Sequence, residues 1–261
     1  MLGSQNAPLF SIQDRKKFMR ERKIIQWSKL FNDKSFKYNV LSNNLKNITS
    51  YNLAKIIYPD LTRKNFYKII NFIIKNIKTK KKDTLLDFGS GNGAFLNFFK
   101  NKVKKLYSLE ISKKFINFQK KYLTKTKYIL TNPTNVDFFK KVGDNKIDIL
   151  ISCSVFHYFY NNNYCLNILK EMIRITRRQI FIFDIKDENK KNKFINNLCK
   201  RQNLTKKKLY NKYKYTPQRF YNKLFFTSFL KNNYPELKFK IINLPKEATD
   251  SDFGFCLKIE K

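Results

Sequence analysis

Acidic residues are scarce in this chain. Against 55 lysines and arginines stand 19 aspartates and glutamates and a single histidine, for a formal net charge of +36 over 261 residues. Cysteine is sparse as well. Cys153, Cys165, Cys199 and Cys256 lie far apart with neither a CxxC pair nor a Cys/His ligand spacing, so neither a metal knot nor a disulfide scaffold is expected. No run of about 18 apolar residues occurs, which leaves no candidate membrane span. The opening "MLGSQNAPLFSIQDRKKFMRER" lacks an apolar core of signal-peptide length. The expectation is a soluble protein in a reducing, cytoplasmic setting. Glycine is rare too, yet three of the six glycines fall within five residues, Gly89, Gly91 and Gly93.

What is abundant argues for a folded domain. With 26 Phe, 15 Tyr and 42% hydrophobic residues, the chain can bury enough ring surface to fold. Its length fits one main core with an appendage. The positive charge reads first as composition bias. Only nine of the basic residues are Arg and 46 are Lys, Asn occurs 31 times, and lysines appear in every region, from "KTKKK" at Lys78 to "KKK" at Lys206. Such a spread suits a solvated coat better than one stripe for a polyanion, although any basic coat binds polyanions at low salt. Nucleic acid is therefore a permitted partner and not the favoured one. The oligomeric state is left open.

The organisation follows from periodicity. Arg15 to Lys82 is mostly helical in pattern, with Phe66, Ile69, Ile70, Ile73, Ile74 and Ile77 at the three-four spacing of one buried stripe. Beyond Asp83, short apolar runs ("TLLDF", "KLYSLE", "KYIL", "IDILIS", "IFIFDI") alternate with helical segments. Alternating strands and helices imply an α/β fold, a doubly wound and mainly parallel sheet covered on both sides. After "IFIFDI" comes a lysine- and tyrosine-rich insertion and a helix near Gln218 to Lys231. Two last runs, "LKFKIINL" and "GFCLKIE", complete seven strands and can pair as an antiparallel edge. The expected division is a helical cap over 1–82 and a main domain over 83–261, with 186–232 as a helical lid after the fifth strand.

The glycine segment "LLDFGSGNGAFL" stands between a strand and a helix, where bare backbone lets a ligand approach helix N-terminal amides. "GSGNGA" satisfies the dinucleotide fingerprint, and Glu110 follows at about 20 residues, where a ribose-binding acid belongs, so NAD is a permitted ligand. Asp87 argues against it. A carboxylate two residues before the first glycine would face a pyrophosphate unfavourably and would welcome an ammonium and a sulfonium.

With Asp87, Gly89, Gly91 and Gly93 in place, the stretch resembles the first motif, D/E-x-G-x-G-x-G, of class I S-adenosylmethionine-dependent methyltransferases. The resemblance runs from about Asp83 to Asp184. It implies a Rossmann-like methyltransferase domain and S-adenosylmethionine held by Asp87, Gly89, Ser90, Gly91 and Gly93. It further implies Glu110 on the ribose hydroxyls, Ile111 on the adenine, and Ser152 and Cys153 beside the methionine part. Asn132 falls where the family commonly has an Asp for the adenine amino group, a departure that keeps an acceptor oxygen.

The methyl acceptor is less clearly encoded. His157, the only histidine, follows the fourth strand and is the candidate base, with a packed wall residue as the alternative. Phe156, His157, Tyr158 and, from "YTPQRFYNKLFF", Arg219 are the candidate acceptor contacts. No NPPY-type tetrad follows the fourth strand and no Pro-Cys pair is present, which weighs against nucleobases. The expected acceptor is the oxygen or nitrogen of a small molecule or glycan, the layout being loosely similar to bacterial sugar and metabolite methyltransferases. Two further readings remain: an RNA or protein methyltransferase docking through the basic coat, and a basic nucleic-acid-binding module with a vestigial cofactor site.

Overall fold

A computed structural model describes residues 48–58, 60–131, 136–214, 218–248 and 250–261. The helical pattern expected before residue 48 and the Asn132 contact lie outside these described residues. Helices α1 (Ser50–Ile57) and α2 (Arg63–Ile77) precede β1 (Thr84–Phe88), α3 (Ala94–Phe99), β2 (Lys105–Glu110), α4 (Lys113–Lys120) and β3 (Thr126–Leu130). After a 3-10 turn, Asp137–Lys141, come β4 (Ile147–Cys153), α5 (Asn162–Ile175) and β5 (Thr176–Lys186). The insertion supplies α6 (Lys191–Gln202), α7 (Lys206–Lys212) and α8 (Lys223–Asn233), and β6 (Lys238–Asn243) and β7 (Gly254–Glu260) close the chain.

The seven strands form one sheet in the order β3-β2-β1-β4-β5-β7-β6. β1 to β5 pair in parallel, and β7 runs antiparallel to both β5 and β6, which confirms the mainly parallel sheet with an antiparallel edge. β4 is buried along its length to Ser152 because both of its faces are covered, as parallel strands require. Chain direction across the sheet reverses between β1 and β4. Connections from these two strands leave on opposite faces, so a crevice opens at their carboxyl ends.

Pleating sorts the strand residues between two cores. Leu86 and Phe88 of β1 join Ile168, Met172 and Phe226 on one face, while Leu85 joins Phe66, Ile70, Ile73 and Ile77 on the other. The expected stripe of α2 is thus its buried face, with Ile74 packed at the margin. Thr62 caps this helix by accepting from the Asn65 N–H. α1 and α2 share the core of the sheet. A separate small cluster of Phe194, Ile195, Leu209 and Phe253 anchors the insertion.

Two asparagines tie α1 to the glycine segment. Asn92 Nδ2 donates to the Leu53 carbonyl at 2.6 Å, and Asn97 Nδ2 donates to the Ile48 carbonyl at 3.0 Å and to Ser50 Oγ at 3.2 Å. Both side chains are buried, so neither donor nor carbonyl has water as a substitute. Asn97→Leu keeps the volume and deletes the donor; we expect urea unfolding to show a loss of about 1–3 kcal/mol. Amides of α1 should then exchange with deuterium faster than those of the sheet, and unchanged exchange in α1 would show that the tie is not needed for docking.

Candidate active site

The three glycines of the loop all adopt left-handed backbone, Gly89 at φ 74°, Gly91 at 54° and Gly93 at 79°. Two of them are also closely packed. A Cβ on Gly89 would stand 2.4 Å from a Val155 methyl, and one on Gly93 would stand 2.7 Å from the Tyr122 hydroxyl. At Gly91 a Cβ would meet only Ile57, at 3.6 Å, so here the backbone faces the crevice. The Ser90 side chain turns into the protein, where its hydroxyl bonds Ser108 at 2.7 Å and accepts from Gln119 at 2.9 Å. The loop is therefore held from behind and open in front.

Glu110, at the end of β2, grips this loop. Its Oε2 accepts from the Gly91 N–H at 2.6 Å, and its Oε1 accepts from the N–H groups of Ile111 and Ser112 at 2.8 and 2.9 Å. Burial raises its pKa, opposed by these N–H bonds. Asp87 has no such support. It is 1% exposed, and neither carboxylate oxygen has a hydrogen-bond partner. Burial first, and then the Glu110 charge, push its pKa to about 8. The buried acids at the other end of the sheet are all partnered. Asp83 pairs with Arg178 at 2.6 Å, and Asp148 pairs with Arg177 while accepting from the Thr84 N–H at 2.8 Å.

The crevice has two lobes that share Ile57, Tyr58, Gly89, Gly91, Cys153, Ser154 and Tyr158. One lobe, of about 180 Å³, lies against Glu110, Ile111, Phe115 and Thr131. The other, of about 210 Å³, runs from Asp87 across Phe95 and His157 to Asp184, Lys186 and Asp250. Tyr58 roofs both. It is 38% exposed as a whole, but its hydroxyl is turned inward to the Ser154 side chain, and burial pushes its pKa up to about 12.

His157 sits in a 3-10 turn, Phe156–Tyr158, just beyond β4. Its ring is buried and Nδ1 has no hydrogen-bond partner. Burial and the nearby Lys186 charge lower its pKa to about 3, so the imidazole is neutral at physiological pH. Cys153 lines both lobes as a protonated thiol, its pKa raised well above the ordinary value by burial and by Asp87.

The structure brings most of the sequence-expected residues to the crevice and turns four side chains elsewhere. Asp87, Gly89, Gly91, Glu110, Ile111, Cys153, His157 and Tyr158 line it. Ser90 lines the larger lobe, but its hydroxyl is committed behind the loop. Ser152 points across the sheet and donates to the Phe88 carbonyl at 3.1 Å, because its neighbour Cys153 takes the crevice face. Phe156 is fully buried in the core beside Phe159 and Phe226. The Arg219 guanidinium bonds Asn162 at 3.3 Å and the Tyr160 carbonyl at 3.4 Å, and it is Gln218 that reaches the lobe.

Sequence reasoning passed over Tyr58, Ser154, Asp184, Lys186 and Asp250. Asp184 has φ 62°, at the point where the pairing of β5 with β7 slips between Ile182 and Ile185, and this bulge aims its carboxylate toward the crevice wall. The available signal was "FDIK", two opposite charges closing an otherwise apolar strand, since buried charges are expected only where they are paired.

Residues 86–183 match a family model described as a methyltransferase domain. A search of curated proteins finds no match for the sequence. Solved structures with a similar fold include an S-adenosylmethionine-dependent methyltransferase from Clostridium acetobutylicum, 11% identical, with a TM-score of 0.56 over 81% of this chain and 96% of the other. Phosphoethanolamine N-methyltransferase 1 of Haemonchus contortus, solved with phosphoethanolamine and S-adenosylhomocysteine, is 10% identical with a TM-score of 0.59. That match covers 94% of this chain and 49% of the other. Magnesium protoporphyrin IX methyltransferase of Synechocystis, with bound S-adenosylhomocysteine, is 10% identical with a TM-score of 0.53 over 95% and 100% of the two chains. At such identities the likeness is one of fold, and the family match rests on the segment that carries the glycine loop, Glu110 and β4. Residues 86–183 thus match a methyltransferase-domain family model, and the sheet that carries them has the Rossmann-like fold of solved S-adenosylmethionine-dependent methyltransferases.

Proposed function

We propose that the crevice holds S-adenosylmethionine between Asp87 and Glu110 and that the methyl group passes to an oxygen or nitrogen of a small molecule or glycan. The observation that carries this reading is Asp87, a fully buried carboxylate with both oxygens unpartnered at the mouth of a glycine cradle. Such a group is costly unless a cation completes it. The anionic pyrophosphate of a dinucleotide would add a like charge where the cofactor's ammonium and sulfonium add the opposite one. The cofactor supplies a methyl group already activated on a positively charged sulfur.

The chain's own residues bind, orient and exclude water. Glu110 fixes the Gly91 amide and presents a carboxylate to the smaller lobe, where sugar hydroxyls can donate to it, and Ile111 and Phe115 offer apolar surface for a base. Tyr58 and Tyr158 line both lobes and Phe159 lines the smaller one, so a cationic donor would meet aromatic surface there. His157 is neutral at physiological pH and its Nδ1 is unpartnered. It is poised to receive a hydrogen bond from the acceptor and hold that acceptor in line, which alone contributes several kcal/mol to a displacement. The larger lobe, of about 210 Å³, suits a compact acceptor.

Two measurements check the reading. In a thermal-shift panel, S-adenosylmethionine and S-adenosylhomocysteine should stabilise the protein by amounts that grow with concentration, while NAD and NADP leave it unchanged. Stabilisation by the dinucleotides alone would refute the assignment.

The second measurement concerns Asp87. Its folded pKa of about 8 stands above the ordinary 3.8, so between those values the folded chain retains a proton that the unfolded chain releases. Stability contributed by this group is present at low pH and lost as pH rises through that window. Asp87→Asn should therefore melt higher than the parent by a margin that opens above pH 4 and levels off near pH 8. The same variant should bind S-adenosylmethionine more weakly. The parent's affinity should climb with pH, by at most about tenfold per unit, up to about pH 8, as calorimetry in buffers of different ionisation enthalpy can resolve. A variant with the parent's affinity and slope would remove Asp87 from the site.

A further inference from the structure

The crevice opens at the carboxyl ends of the parallel strands, and three basic segments enter β1, β2 and β3 from the opposite end. They read "KKKD" from Lys80, "KNKVKK" from Lys100 and "KKYLTKTK" from Lys120. Their eleven lysines, three from the first segment and four from each of the others, are all exposed. Because these strands are parallel neighbours, the sheet gathers the segments side by side. Thr84 pairs with Lys105 and Leu106 with Thr126, and the Lys104 N–H donates to the Asp83 carbonyl at 2.8 Å. Adjacent strands lie about 4.8 Å apart, less than a Debye length, so charges on neighbouring segments repel one another.

Aromatic rings on both faces of the sheet edge carry the lysine stems. Lys105 and Lys127 stand over Tyr107 at 5.1 and 5.5 Å, and on the other face Lys120 stands over Tyr128 at 5.8 Å. Beyond β1, acids break up the basic coat at this same end of the sheet. Arg178 pairs with Asp83, Arg177 with Asp148, Arg174 with Glu171 and Asp144, and Lys258 with Glu260. None of the eleven lysines enters an ion pair among the described residues. The sequence outside the described residues holds ten lysines and arginines against three acids, so it adds positive charge and does not neutralise the cluster.

Protection of an edge strand from stray pairing explains a lysine such as Lys127 on β3, but not those ahead of β1 and β2, which are interior strands. The apolar residues of the segments, Val103, Tyr122 and Leu123, are buried, and the other exposed side chains are Asn101 and Thr124. A bilayer would find nothing apolar to take up. A flexible phosphate chain would find a row of cations with an amide and a hydroxyl among them.

We propose that this face, at the amino ends of β1 to β3, is a docking surface for the sugar-phosphate backbone of a nucleic acid, held without regard to base sequence. Strands of five and six residues set it about 15–20 Å from the crevice, so the nucleic acid is an anchor and not the methyl acceptor. Docking there stands independently of the methyl-transfer reading.

The test is the fluorescence anisotropy of a labelled oligouridylate of about 20 nucleotides, titrated with the full chain over a series of salt concentrations. One variant combines Lys102→Gln, Lys104→Gln, Lys125→Gln and Lys127→Gln. A second removes the same charge from exposed positions of the insertion, through Lys193→Gln, Lys200→Gln, Lys206→Gln and Lys207→Gln. Near 0.1 M salt the first should bind at least about tenfold more weakly than the parent, with a log–log salt slope shallower by about 2–3, from about 0.7 per phosphate contact. The second should stay within about threefold of the parent, and arginine at the first four positions should preserve the affinity. Equal losses in the two glutamine variants would assign binding to the dispersed coat and overturn the proposal. Full affinity in the first variant, no binding by the parent, or weakened binding by the arginine variant would overturn it as well. So would vesicles of phosphatidylcholine and phosphatidylglycerol that bind the parent and lose the first variant while the oligonucleotide retains it.

Discussion

A single uncompensated carboxylate governs this molecule. Asp87 lies at the carboxyl end of β1 with both oxygens bare, whereas the other buried acids among the described residues have an arginine, a lysine or backbone N–H groups beside them. Placing it there costs stability at and above neutral pH, because the charged form is stripped of water and the neutral form must hold a proton well above its usual range. On the proposed reading a cationic ligand would complete the site and recover that cost on binding. Stability and affinity are thus opposite readings of one group.

The surrounding architecture is arranged to keep that group dry and fixed. Reversal of chain direction between β1 and β4 opens the crevice, and three left-handed glycines let the backbone pass beneath it without a side chain in the way. Val155 and Tyr122 press on two of those glycines from behind, so the loop has little room to relax. Asn92 links it to α1, whose last residue, Ile57, and the next, Tyr58, line both lobes. The roof and the cradle are consequently one mechanical unit, and disturbance of α1 is transmitted to the cofactor loop through a hydrogen bond and not only through packing.

The parts of this arrangement that are local in sequence were legible there. Strand and helix alternation, the stripe of α2, the glycine spacing and the acid at the end of β2 each follow from a periodicity or a fixed offset. The wall opposite was not legible, because it is assembled from the turn after β4, the end of β5 and the segment around Asp250, brought together only by the sheet. Left-handed backbone at Ser154, Asp184 and Asp250 sets the course of the chain there, and non-glycine residues give no sequence sign of it. Aromatic-rich stretches misled for a related reason. In "SVFHYFY" the rings are interchangeable as letters, and only the 3-10 turn decides that Phe156 enters the core while Tyr158 faces the crevice. Ser152 is different: strict alternation along β4 already meant that it and Cys153 could not share a face.

The charge balance of the chain completes the argument. With a net charge of +36, a remote field should favour ionised carboxylates everywhere, yet Asp87 moves the other way. Distance and screening account for this. The lysines are dispersed over the surface, and beyond a Debye length of about 8–10 Å their influence is largely lost to salt, whereas burial acts on the carboxylate directly. Among the described residues the crevice itself is lined by Asp87, Glu110, Asp184 and Asp250 against Lys186. A basic coat that draws anions to the surface therefore encloses a site in which, among the described residues, carboxyl groups outnumber basic ones. What a ligand's charge meets there is set within a few ångströms, by the groups at the point of contact, more than by the charge of the whole.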